Sequence, residues 1–350
     1  MTQGFSDMPF FSGARIAVVG LDAAGCAAAE ILDKVGGVRL GLFDTQAQRL
    51  EVADLPVEKR CAYADSARLA QAVCDFAPDI VIPSTEIAEV DPIFALCEAQ
   101  GVQMMSELDV AWFMCAQEGE GSPPWLCITG DKGKTMTAQI TRAIMDEAGY
   151  CAKIVGNSAT PLAQGMCGSG EDTTDVFIVE VSSVQLRTTS AMRPHSSVCL
   201  NLSEEYPHWH GNRQAYYDAK SRIFNNVHAA CVYLASDTRA HSMVEAADSG
   251  GGALPIGLTY GVPRVGQIGL VEDIVVDRAF VSQPQTQACE LFTLGDISHF
   301  APIGSPLLFH FFNDALAAAA LARSCGVEAD AIAPALSAFR LGGRGEKIIQ

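Results

Sequence analysis

Short apolar runs alternate with longer amphipathic stretches over the first third of the chain. ARIAVVG (14–20) reads as a buried strand entering a glycine turn, and AAGCAAAEILDKVGG (23–37) as a helix stopped by a glycine pair. VRLGLFD (38–44) is a second strand ending in Asp44, DIVIPS (79–84) is another, and DPIFALCEAQG (91–101) is a helix closed by Gly101. Strands alternating with helices predict an α/β fold with a parallel sheet covered on both faces. QEGEGSPP (117–124) is a polar Gly/Pro-rich break and marks a domain boundary. Beyond it, PWLCITG (124–130) is a strand and TMTAQITRAIMDEAGY (135–150) an amphipathic helix. DVFIVEVS (175–182), SSVCLNLS (196–203) and ACVYLAS (230–236) are further strands. The chain is glycine-rich and β-like after 251, then carries an alanine-rich helix over 313–325. No repeat of fixed period is present.

The second strand–turn–helix carries the clearest chemistry, ITGDKGKTMT (128–137). Gly130-x-x-Gly133-Lys134-Thr135 lies between a strand and a helix start, so loop amides and the helix N-terminal dipole are aimed at one place. Lys134 adds a full positive charge and the Thr135 hydroxyl suits Mg²⁺. The spacing is two residues between glycines rather than the four of the full phosphate-loop pattern. The first turn, GLDAAG (20–25), has Asp22 where a dinucleotide fingerprint needs a glycine, which argues against an NAD site. Glu180 ends a buried strand and suits a metal or its water, whereas Ser182 and Ser183 after it are also natural helix caps. His208 and His210 lack the cysteines or carboxylates that would complete a zinc site. Lys220 lies on a helix whose apolar face predicts a buried position.

Composition narrows the partners. A net charge of −18 with no Lys/Arg cluster excludes a nucleic-acid partner. The 12 cysteines include no CxxC pair and read as reduced thiols. The N-terminus lacks the pattern of a secretory leader, and the most apolar run (306–322) is broken by His310, Asn313 and Asp314. A cytoplasmic protein without membrane insertion is expected.

Taken together, ITGDKGKTMT, VGNSATPL, VEVSSVQL, NLSEEYPHWHG and YYDAKSRIF stand in an order and spacing that resemble the Mur ligase family. The likeness extends to AVVGLDAAG, LFDT, PSTEIAEVDP and SELDVAW in the first domain, and to LTYGV, DALAAAALARSCGV and LSAFRLGGRGE toward the end. It implies a Rossmann-like UDP-sugar-binding domain over 1–118. A larger P-loop-type central ATPase domain with a mostly parallel sheet follows over 119–340, and 341–350 would begin a linker to a C-terminal domain outside these residues. The implied reaction is ATP-dependent: the carboxylate of UDP-N-acetylmuramoyl-L-alanine becomes an acyl phosphate, which the amine of D-glutamate attacks. ATP and Mg²⁺ are the implied cofactors, and a monomer is expected.

The same resemblance assigns roles residue by residue. Gly130, Asp131, Lys132, Gly133, Lys134 and Thr135 match the ATP-phosphate loop, and His310, Asp314 and Arg344 the rest of the nucleotide site. Thr135, Glu180 and, if carbamylated, Lys220 match metal-binding positions. Lys134, Glu180 and Lys220 are thus the implied catalytic residues. Asp44, Thr45 and Ser84 match the uridine-diphosphate region, while Asn157, Ser182, Ser183 and Gln185 match other substrate-facing positions. The departures are specific. The family's Thr-Asn-Gly-Lys is Asp131-Lys132-Gly133-Lys134 here, its Asp-His pair is Glu205-Tyr206, its His-Asn is His310-Phe311, and its Ser-Pro-Gly is Ser84-Thr85-Glu86. Substitutions gathered at ligand positions leave open a homologue that binds nucleotide or UDP-sugar without ligating.

Overall fold

The computed structural model describes residues 11–52, 55–116, 122–157, 162, 165, 174–202, 208–247, 252–301 and 303–340. The first unit runs β1 (Arg15–Val19), α1 (Ala23–Val35), β2 (Arg39–Asp44), α2 (Ala47–Val52), β3 (Lys59–Ala62), α3 (Ser66–Asp75), β4 (Ile80–Pro83), α4 (Pro92–Gln100), β5 (Gln103–Met104) and α5 (Glu107–Ala116). Its five strands are ordered β3-β2-β1-β4-β5, all parallel. This is the arrangement of a Rossmann-like half, reversing direction beside β1.

The second unit begins with β6 (Trp125–Thr129), α6 (Lys134–Glu147), β7 (Ala152–Gly156), β8 (Val176–Glu180), α7 (Ser183–Leu186) and β9 (Ser196–Cys199). It continues through α8 (Arg213–Ser221), β10 (Ala230–Leu234), α9 (Thr238–Ala246), β11 (Leu254–Thr259), β12 (Gln267–Val271), β13 (Ile274–Asp277) and β14 (Cys289–Thr293). Helices α10 (Leu294–Ile297), α11 (Pro306–Ser324) and α12 (Ile332–Ala338) close it. Nine strands form one sheet, β14-β13-β12-β11-β10-β9-β6-β8-β7, parallel from β7 to β12 and antiparallel over the last three. The fold is therefore α/β with mainly parallel sheets.

Strand β6 sits between β8 and β9, so connections leave it in both directions and a crevice opens at its carboxyl end. That end carries the Gly-Lys-Thr loop. Its anchor is buried: Trp125, Leu126, Cys127 and Ile128 are fully covered. Helix α6 packs on α11, whose run from Ala315 to Ala322 lies fully inside the core. Small alanines let those two helices approach closely.

Three boundaries differ from the sequence reading. Helix α11 starts at Pro306, two turns before the expected 313, because Ser305 caps it and Pro306 fits the first turn. Strand β9 stops at Cys199 rather than 203, since Asn201 turns aside to bind the loop beside it. Helix α6 begins one residue early, at Lys134. Among the described residues no helix is long and apolar enough to cross a membrane.

Candidate phosphate-binding site

Gly133 adopts φ +90° as the residue before α6, and a Cβ there would lie 2.3 Å from Asp314 Oδ1. Only glycine permits both the left-handed turn and that approach. The first intrahelical bond runs from Thr137 N–H to Gly133 C=O, at 2.8 Å. The amides of Lys134, Thr135 and Met136 precede it and have no carbonyl one turn back within the helix. The preceding amides are otherwise engaged. Asp131 N–H and Lys132 N–H both donate to Asn201 Oδ1, at 2.9 and 3.0 Å, while Asn201 Nδ2 donates to Lys132 C=O at 2.9 Å. The loop amides therefore do not all converge on one place: those of Asp131 and Lys132 are taken by Asn201, and only those at the helix start are left without a helical carbonyl.

Lys134 folds back over its own loop, donating to Gly130 C=O at 2.7 Å and Asp131 C=O at 3.3 Å. Burial lowers its pKa, and the charges of Glu180 and Asp131 oppose that shift. Thr135 Oγ1 donates to Glu180 Oε2 at 3.0 Å, placing the buried end of β8 against the loop. Lys220, 2% exposed on α8, points at the loop and not at solvent: Nζ donates to Thr129 Oγ1 at 3.1 Å and lies 3.8 Å from Asp131 Oδ1. Burial pushes its pKa down to about 8. The Asp131 carboxylate also accepts a hydrogen bond from the Tyr216 hydroxyl. Its charge is thereby turned toward Lys220 and Tyr216.

A cavity of about 720 Å³ opens from this loop and is lined on its far side by Tyr260, Phe300 and Phe309–Phe311. Asp314 closes the loop end, accepting from Thr137 Oγ1 at 3.3 Å, and desolvation raises its pKa to about 7. His310 is exposed at the rim. Arg344 lies outside the described residues, as do Glu205 and Tyr206.

Gln185 and Ser183 lie where the two units meet. Asn157 N–H donates to Glu180 C=O at 3.0 Å, at the end of β7. Ser182 and Gln185 form a reciprocal cap on α7, and Gln185 Nε2 also donates to Glu107 Oε1 at 2.6 Å. Burial lifts Glu107 to a pKa of about 7. Ser183 Oγ lies 3.0 Å from Nε2 of the buried His210, whose Nδ1 is 2.9 Å from Glu89 Oε2 in the first unit. Both His210 nitrogens are thus engaged, whereas His208 is exposed. Among the described residues no group of three His, Cys, Asp or Glu side chains is placed to hold a metal.

In the first unit, buried Asp44 accepts from Leu21 N–H (2.6 Å) and Gln46 N–H (2.7 Å), beside half-buried Thr45. Ser84 Oγ is buried without a hydrogen-bond partner. Asp22 caps α1 through Gly25 N–H at 2.9 Å and accepts from Thr85 Oγ1 at 2.7 Å, so a carboxylate of the chain fills the place a phosphate would take. Arg49 near it pairs with Glu86. Sequence reasoning missed Asn201 and Tyr216 as loop partners. Their only signal was lying just past a strand and on the face of a helix that the topology brings to β6.

A mainly parallel sheet with a Gly-Lys-Thr loop at its switch point defines a P-loop-type nucleotide-binding α/β protein joined to a Rossmann-like unit. Residues 128–266 match the Mur ligase middle domain. Over 336 residues the chain is 36% identical to the UDP-N-acetylmuramoylalanine--D-glutamate ligase of Streptomyces avermitilis, covering 95% of this chain and 68% of the relative. The protein of the same name from Streptomyces coelicolor is 35% identical (94% and 68% covered), and that of Leifsonia xyli 31% (95% and 65%). The chain thus spans about two thirds of the length of these relatives. The crystal structure of UDP-N-acetylmuramate:L-alanyl-gamma-D-glutamyl-meso-diaminopimelate ligase from Neisseria meningitides shares the fold, with a TM-score of 0.52 at 15% identity, covering 95% of this chain and all of that one. The chain belongs to the Mur ligase family.

Proposed function

We propose that this chain carries the nucleotide and acceptor sites of an ATP-dependent amide ligase that adds D-glutamate to UDP-N-acetylmuramoyl-L-alanine. The observation that carries this reading is the loop itself, with Lys134, Thr135, Glu180 and Lys220 converging on it at the mouth of a cavity of nucleotide size, in a chain 36% identical to a ligase of that name.

The reaction must bring a carboxylate against a triphosphate, so anionic repulsion has to be cancelled locally in a protein of net charge −18. The helix α6 amides and Lys134 face the phosphates, and Lys134 exchanges its carbonyl partners for phosphate oxygens. Thr135 Oγ1 and Glu180 Oε2, hydrogen-bonded at 3.0 Å beside the loop, are the oxygen donors that would hold Mg²⁺. These residues fit Mg²⁺, which when bound would neutralise the phosphate charge. Burial lowers Lys220 enough that a fraction is free amine near neutral pH. An amine of that kind adds CO₂ to give a carbamate and one proton, turning a cation into a carboxylate-like ligand. The substrate carboxylate takes the γ-phosphoryl group, and the amine of D-glutamate displaces inorganic phosphate to leave the amide. The Ser182–Gln185 segment and Asn157 are the proposed acceptor contacts, with Asp44, Thr45 and Ser84 holding the nucleotide end.

The test is incorporation of labelled D-glutamate into a UDP-linked product. Incorporation that requires ATP and is lost in Lys134→Ala supports the reading; incorporation that survives without ATP overturns it.

A further inference from the structure

In the first unit, three carboxylates stand around the carboxyl end of β1, the switch point of its sheet: Asp22 after β1, Asp44 closing β2 and Glu86 after β4. Two of them are committed to the backbone. Asp44 accepts from the amides of Leu21 and Gln46, while Asp22 caps α1 through Gly25 N–H and accepts from Thr85 Oγ1. The helix terminus that would ordinarily attract a phosphate is therefore already held by a negative charge. Arg49, on α2, is a cation placed among them. Its guanidinium donates to both oxygens of Glu86, at 2.5 and 3.3 Å, and lies 3.8 Å from Asp44 Oδ2. Because β1 lies between β2 and β4, this pair joins the two sides of the crevice across about 10 Å. At the same end Ser84 is 3% exposed and its Oγ has no hydrogen-bond partner. That hydroxyl faces the turn after β1, where a Cβ on Gly20 would come within 2.2 Å of it.

We infer that Arg49 receives the diphosphate of the UDP-linked acceptor, exchanging Glu86 for it. The inference rests on the proposed function, which puts the nucleotide end of that acceptor at Asp44, Thr45 and Ser84. A guanidinium fork matches phosphate oxygens as it matches a carboxylate, and a diphosphate carries more charge than Glu86. Glu86 is 52% exposed, so the resting pair is screened by water and weak. Glu86 therefore turns out to solvent at little cost when the phosphates arrive. It also opposes their arrival twice, by competing for Arg49 and by repelling a second anion. A pair that served only as scaffold would behave differently, because removing either partner would then do the same harm.

Titration of UDP and uridine into the purified protein, with Mg²⁺ and a non-hydrolysable ATP analogue filling the Gly133–Thr135 loop, tests this. Wild type is expected to hold UDP at least about tenfold tighter than uridine. Arg49→Gln should remove most of that margin while leaving uridine within about twofold, and Arg49→Lys, which keeps the charge without the fork, should fall between. Glu86→Gln should tighten UDP by about two- to fivefold. Both glutamine variants should melt within a few degrees of wild type, since the pair is exposed and Asp44 keeps its backbone partners. Weaker UDP binding by Glu86→Gln, or UDP binding indifferent to Arg49→Gln, would overturn the inference while leaving the acceptor site standing. Equal losses of UDP and uridine in Arg49→Gln would do the same. UDP lost in Lys134→Ala and kept in Arg49→Gln would put its phosphates at the other loop and overturn the inference too. A wild-type protein that binds neither UDP, uridine nor UDP-N-acetylmuramoyl-L-alanine would overturn both the inference and the acceptor reading beneath it.

Discussion

Replacing Lys134 with methionine separates the resting loop from the liganded one. In the resting loop the ammonium holds two carbonyls, at 2.7 and 3.3 Å, in a half-buried setting. Their loss costs about 2–3 kcal/mol, but desolvating the charge costs a comparable amount, so the melting temperature should move by only a few degrees. Binding is different. An ammonium about 4 Å from one phosphate charge gains about 4 kcal/mol at an effective dielectric constant near 20. About 2 kcal/mol of that offsets the two carbonyl bonds given up, which leaves about 2 kcal/mol, or a roughly 30-fold rise in Kd for Mg·ATP. Lys132 is the internal control. Its side chain is exposed and its backbone is tied to Asn201, so Lys132→Ala should weaken ATP by less than about fivefold. Titration calorimetry with thermal melts on both variants measures each quantity. A Lys134→Met protein that keeps its melting temperature and binds ATP within threefold of wild type would refute the assignment of this loop to phosphate.

Other outcomes follow from the same contacts. Asp314 keeps its proton to a pH of about 7 in the fold, against an ordinary 3.8. Between those values the unfolded chain is ionised while the folded one is not, so stability falls as pH rises through that window and stays low above it. Asp314→Asn should match wild type near pH 4 and exceed it by about 2–4 kcal/mol at pH 8, read from urea midpoints; equal midpoints at pH 8 would count against the burial of this carboxyl. Glu89→Ala leaves Arg187 and the buried His210 without their shared acceptor and should lower stability by about 2–4 kcal/mol at unchanged m-value. Gly25→Ala would set a Cβ 1.9 Å from Gly20 C=O and drive α1 off β1; soluble expression with a wild-type melt would show that this approach is not as close as drawn.

Much of the fold could be read directly because its rules are local. The turn after β1, the caps on α4 and the strand–loop–helix at 125–147 each follow from a few consecutive residues. What stayed hidden was adjacency. Nothing local to VEVSSVQL or NLS says that β8 and β9 flank β6, yet that order is what brings Glu180 and Asn201 to the loop. The departures also changed meaning in three dimensions. Asp131, matched to the phosphate loop where the family carries a threonine, is held by Tyr216 and stands near Lys220. Phe311, standing where the family carries an asparagine, is one half of a ring stack with Phe300. His210, weighed as half of an incomplete zinc pair, joins the two units through Glu89 and Ser183.

The central claim is that a phosphoryl group is transferred to the acceptor carboxylate at this loop. It is tested most directly by supplying UDP-N-acetylmuramoyl-L-alanine labelled with ¹⁸O in its carboxylate to the natural full-length protein, together with ATP, Mg²⁺ and D-glutamate. The carboxylate oxygen becomes the bridge of an acyl phosphate and departs with phosphate when the amine attacks. The account predicts one ¹⁸O in each inorganic phosphate released, in a release that requires D-glutamate. Phosphate free of ¹⁸O, with the label retained whole in the product, would contradict it.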